Sequence, residues 1–240
     1  MKIFIALFVV FVASILIFRL NGLASKMNFT ISKNDYINNH AKYQVLLSLL
    51  SMFVLLLLYF QSSENLQLFL SIGDISANAE PVYWFGIEDN KTWIFAGLYL
   101  CALITMGTLS FVYIQFKNSK IKLQELVPFI AWIIIFSLAN SLSEEIIYRL
   151  GIIVPLFNHI STTEVIWLSA IIFGLVHFGG MPHGLIGMFM AGFLGWFLAK
   201  AVIETEGIFW AWFIHFIQDI VIYFGFIIGN LSTNNKESID

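Results

Sequence analysis

The chain is poor in charge, in proline and above all in cysteine. Asp, Glu, Lys and Arg together make up 11% of its 240 residues, Pro occurs four times and Cys once. Soluble domains carry about 25% charged residues. A water-soluble fold of this size has no way to hide a composition that is 59% hydrophobic, because much of any folded surface stays in contact with solvent. The lone Cys101 lies inside an apolar run, which excludes a disulfide framework and a cysteine-based metal site. Scarce proline leaves long helices uninterrupted. A net charge of −3 gives no basic surface for nucleic acid. Two catalytic signatures are also missing. Without Gly-x-Ser-x-Gly a serine nucleophile elbow is disfavoured, and without His-Glu-x-x-His so is the usual zinc protease.

What is present is a series of apolar runs long enough for a bilayer, which takes about 20 helical residues. They fall at Lys2–Leu20, Tyr43–Phe60, Trp93–Phe116, from Leu123 past Ala139, and at Val165–Phe178, His183–Ile203 and Ile208–Ile228. None alternates with period two, and all exceed the roughly ten residues of a barrel strand. Backbone groups in lipid must then be satisfied within helices. The expected fold is all-α, a polytopic transmembrane helical bundle of about seven spans. An eighth span or a re-entrant piece fits at Leu66–Ile72 or Gly151–Phe157. The first run resembles a signal peptide with a cleavage site at Leu23-Ala24-Ser25, but its length and the spans behind it favour a retained helix.

Arg19, Lys26, Lys33 and Lys42 flank the first connection, and Lys117, Lys120 and Lys122 the third. The second holds Glu64, Asp74, Glu80, Glu88 and Asp89 against a single Lys91. Positive-inside bias then puts the N-terminus outside and the tail from Asn234 to Asp240 inside. The expected organisation is one membrane domain: N-terminal helices and loops over 1–122, a core over 123–231 and a polar tail over 232–240.

Ionisable residues within spans cost at least about 2.5 kcal/mol each and mark candidate sites. Three clusters stand out. In Ser143-Glu144-Glu145-Ile146-Ile147-Tyr148-Arg149, Glu145 and Arg149 are four apart and share a helix face. Glu144 is turned about 100° away, free to act as a general base. The alternative is a Glu/Arg pair snorkelling at a helix end. In Phe173-Gly174-Leu175-Val176-His177 the histidine is either a packed, hydrogen-bonded side chain or part of a site, and small Gly174 invites close helix approach. In His215-Phe216-Ile217-Gln218-Asp219, His215 and Asp219 share a face deep in a span, where snorkelling fails. At about 1.5 Å per residue the three meet in one layer only if the fourth helix continues through Tyr148 to about Phe157. His40, His159 and His183 lie in or near loops and read as structural, and the Gly179–Gly184 stretch reads as a mobile entrance.

Glu-Glu-x-x-x-Arg, Phe-x-x-x-His and His-x-x-x-Asp, in that order on three helices, resemble the CPBP family. This is the CAAX prenyl endopeptidase and bacteriocin-processing group of membrane proteins, also known as the Abi family. The resemblance runs from about Phe129 to Gly229. It implies an intramembrane peptide hydrolase in which Glu144 activates water, His177 holds that water, Glu145 and Arg149 pair, and His215 with Asp219 forms the oxyanion site. Phe173, from the second motif, is the candidate substrate-binding residue. Many members have Asn where this chain has Asp219, and an ionised Asp has no N–H to donate. The resemblance further implies no cofactor, a membrane-associated peptide or protein as substrate, the lipid bilayer as the other partner, and a multi-pass location in a bacterial plasma membrane. Some family members act as scaffolds or immunity factors.

Two other readings stay open. Glu144, His177, His215 and Asp219 are all acceptable zinc ligands, which allows a metal-dependent hydrolase. Buried Glu, His and Asp also make proton relays in transporters, although no inverted repeat is visible.

Overall fold

The structure is a computed structural model that describes residues 2–180, 182 and 184–237. His183, the head of the sixth apolar run, and the last tail residues 238–240 lie outside the described residues.

Among the described residues seven helices are long and apolar enough to cross a membrane, as the sequence led us to expect. They are α1 (Lys2–Ala24), α2 (Asp35–Leu70), α3 (Trp93–Phe116), α4 (Leu123–Leu156), α5 (Thr162–Gly179, its last turn 3₁₀), α6 (Leu185–Thr205) and α7 (Phe209–Glu237). Among the described residues no strand forms, only two isolated bridges in the 71–92 connection, Asn78 with Thr92 and Val82 with Ile87. The protein is an integral, multi-pass, all-α bundle.

Neither candidate for an eighth span is separate. Leu66 to Leu70 is the end of α2, which is broken at Ser62 (φ −161°, ψ 75°) and resumes. Gly151 to Leu156 is the end of α4. That helix runs through a short 3₁₀ turn at Val127–Phe129, an α-helix at Ile130–Glu145 and a π-helix at Ile146–Leu150. The continuation past Tyr148 that the depth argument required is therefore present. Asn65 of α2 donates to the Val154 carbonyl at 3.0 Å, satisfying part of the α4 terminus. α7 continues to Glu237, into the polar stretch 232–240. No proline follows Ile228 to stop it, and Ser232 bonds Ser119 beside α3 at 3.0 Å.

Packing sets the layer in which the site lies. α7 packs along α3 and α4, α2 packs along α1 and α4, and α5 packs closely on α6. Gly174 makes the last contact possible, because a Cβ there would lie 2.7 Å from the Met188 carbonyl and 3.1 Å from Gly192 Cα. At the end of the bundle marked by the α6–α7 turn, Gly73 (φ +75°) meets Gly207 with no room for a side chain on either. That contact, with Asp74 N–H donating to the Thr205 carbonyl at 2.7 Å, pins the 71–92 connection to the α6–α7 turn.

Candidate active site

Glu145 and Arg149 are fully enclosed, so this pair is not a snorkelling one. Arg149 Nε stands 3.1 Å from Glu145 Oε2, close as an ion pair but off the hydrogen-bond axis. The guanidinium lies 4.0 Å from the centre of the Phe173 ring, and its Nη1 reaches Ser169 Oγ at 3.5 Å. Buried charges demand such company. Removing one partner of an enclosed pair costs about 3–5 kcal/mol.

The other oxygen of Glu145 reaches across to α7, where His215 Nδ1 lies 2.7 Å from Glu145 Oε1. An ionised carboxylate accepts only, so Nδ1 carries the hydrogen and Nε2 points the other way. His177, at the end of α5, is fixed similarly. Its Nδ1 donates to the Phe173 carbonyl at 2.7 Å, leaving Nε2 free. Phe173 packs 4.3 Å from the His177 ring and 5.8 Å from the His215 ring, centre to centre.

Both Nε2 atoms face one oxygen. Glu144 Oε2 is 3.8 Å from His177 Nε2 and 3.8 Å from His215 Nε2, and it has no hydrogen-bond partner among the described residues. Asp219 Oδ1 lies 3.7 Å from His215 Nε2. Distances near 3.8 Å are too long for direct hydrogen bonds and suit a bridging water. The three motifs thus converge on a single layer. Glu144, His177, His215, Asp219 and Phe173 line a cavity of about 710 Å³, while Glu145 and Arg149 lie behind it. Phe173 is 1% exposed, so it forms floor beneath the rings more than open wall. Gly180 and Pro182, from the stretch read as an entrance, also line the cavity.

Four residues of the site escaped the sequence reading. Asn140, one turn before Glu144, gives its Nδ2 to Glu144 Oε1 at 3.2 Å and to Asp219 Oδ2 at 3.1 Å. Gln44 of α2 donates to Asn140 Oδ1 at 3.3 Å and to the Tyr223 hydroxyl at 2.8 Å. His40, expected in or near a loop, is helical instead. It sits on α2, lines the cavity and bonds Tyr223 at 2.8 Å. The N-terminus of α2 at Asp35 precedes the apolar run, which is why His40 looked like loop. The spacing Asn140-x-x-x-Glu144 was the available signal. His159 stays outside the site, bonding the Phe157 carbonyl at 2.9 Å. Among the described residues no group of three His, Cys, Asp or Glu side chains is placed to hold a metal ion.

A multi-pass helical bundle with a carboxylate and two imidazoles facing one cavity between its spans belongs, by architecture, among membrane proteins with a buried polar site. Residues 126–221 match the model of the Rce1-like family, the type II CAAX prenyl endopeptidases. That match, over less than half of the chain, supports the CPBP/CAAX protease family and falls on the helices that carry the three motifs. No curated protein and no solved structure matches the chain.

Proposed function

We propose that this chain is an intramembrane endopeptidase that hydrolyses a bond in a membrane-associated peptide or protein. The observation that carries the reading is Glu144 Oε2, held 3.8 Å from both imidazole Nε2 atoms with no hydrogen-bond partner among the described residues. The family match supports the class of reaction.

The proton count follows from the hydrogen bonds. His177 Nε2 and Glu144 Oε2 are two acceptors, and a water between them gives one hydrogen to each. Its oxygen lone pair is then directed at a substrate carbonyl. Glu144 takes a proton as the oxygen bonds to that carbon, and later gives it to the leaving amine as the C–N bond breaks. Water and peptide become acid and amine, with no covalent enzyme intermediate. Stabilising the oxyanion calls for a donor at His215 Nε2. His215 already commits Nδ1–H to Glu145, so donation from Nε2 as well requires the imidazolium. Glu145 at 2.7 Å, Asp219 at 3.7 Å and Glu144 at 3.8 Å are the counter-charges such a cation needs. On this account Asp219 serves His215 and is not itself the donor.

The test compares peptides in the membrane and medium of cells carrying wild type or Glu144→Ala. The expected result is a set of peptide termini that appear only with wild type and persist when chelator is added to membranes. Identical peptide sets would remove the protease reading. A Glu144-dependent set abolished by chelator would replace water activation by protein groups with a metal-dependent reaction.

A further inference from the structure

Asn140 touches both carboxylates of the cavity. Its Nδ2 stands 3.2 Å from Glu144 Oε1 and 3.1 Å from Asp219 Oδ2. One NH₂ group has two hydrogens, so each carboxylate receives one. The amide cannot be turned round, because its oxygen would then face two acceptors. With Nδ2 so committed, Oδ1 must accept, and Gln44 Nε2 supplies a hydrogen at 3.3 Å. Gln44 is itself held by the Tyr223 hydroxyl at 2.8 Å, which His40 also bonds at 2.8 Å. Gln44 and Tyr223 are buried.

The consequence lies in which Glu144 oxygen is free. Oε1 is taken by Asn140, and Oε2 is left facing the two imidazoles. Without that bond, two torsions beyond Cβ swing the carboxylate, and Asp219 repels it. We infer that Asn140 is a positioning residue: it holds Glu144 and Asp219 apart by one shared amide and aims Glu144 Oε2 at the water site, with its own orientation fixed from α2 by Gln44. The inference rests on reading Glu144 as the base. It also gives the N-terminal half a part in the chemistry, since Gln44 lies outside the matched segment at 126–221.

The test has two arms. In the first, the full chain in lipid discs is labelled with ¹⁵N-asparagine, and the Asn140 side-chain amide is assigned by its loss in Asn140→Asp. Glu144→Gln is expected to move one of the two amide proton resonances and Asp219→Asn the other. If neither variant moves either resonance, the inference is overturned. In the second arm, the substrate is a peptide that cells release with wild type and not with Glu144→Ala. Asn140→Ala is expected to lower kcat about tenfold to a hundredfold, as for loss of a charge-assisted hydrogen bond, with little change in KM. Asn140→Ser, which keeps one donor, is expected to recover part of the loss. An Asn140→Ala enzyme with wild-type kcat overturns the inference while leaving the protease reading intact. If Glu144→Gln leaves peptide release unchanged, the protease reading falls, and the resonance arm alone decides whether the amide bridges the carboxylates.

Discussion

Glu145–Arg149 is a fully buried ion pair and Lys200–Glu204 a partly buried one, and both join residues four apart on one helix. Their surroundings differ. Glu145 and Arg149 are sealed, and the spare carboxylate oxygen is spent on His215, an imidazole that faces the cavity. Glu204, near the end of α6, instead accepts from Trp93 Nε1 at 2.9 Å and from the Glu80 backbone N–H at 3.0 Å. Lys200 also reaches the Glu80 carboxylate at 3.3 Å, and that side chain is 79% exposed. One pair therefore orients a ring of the site, and the other ties the 71–92 connection to the bundle. The same spacing in sequence gives a positioning device in one place and a clamp in the other, and only the third partner tells them apart.

Removing a charge from each pair tests this contrast. Arg149→Met leaves Glu145 enclosed with only His215, and the expected cost is about 3–5 kcal/mol, read as loss of folded protein in thermal unfolding. Lys200→Met leaves Glu204 with its Trp93 and backbone donors, so the expected cost is smaller, about 1–3 kcal/mol. Equal losses would break the comparison. Phe173→Leu removes the ring over Arg149 and is expected to cost about 2 kcal/mol from the cation–π contact, plus any packing loss. Glu80→Gln, at the exposed end of the second pair, is expected to cost no more than about 1 kcal/mol. Lys200→Met and Glu80→Gln should also leave peptide release per folded molecule near wild type, because neither side chain lines the cavity.

Much of this was legible in the sequence because apolar length is a local property. Runs of about 20 residues announce seven helices, and charges inside them announce three clusters. The four-residue spacing foretold the Glu145–Arg149 contact for the same reason. Partners supplied by distant segments were not legible. Nothing near His215 in sequence points to Glu145, which meets it across helices. Asn140, Gln44 and Tyr223 carry no charge, and within apolar runs they read as ordinary packing until their hydrogen bonds are seen. The Ser62 break, at which α2 stops and resumes, rests on a backbone angle that no residue type there demands.

The most direct measurement of the central claim takes the purified full chain in lipid discs, a peptide released only by wild-type cells, and Glu144→Gln. Gln keeps the shape of Glu144 and removes its basicity. The account predicts a fall in hydrolysis of about 10²–10⁴-fold, the usual worth of a general base, with thermal unfolding unchanged. Cleavage by Glu144→Gln at the wild-type rate would contradict it.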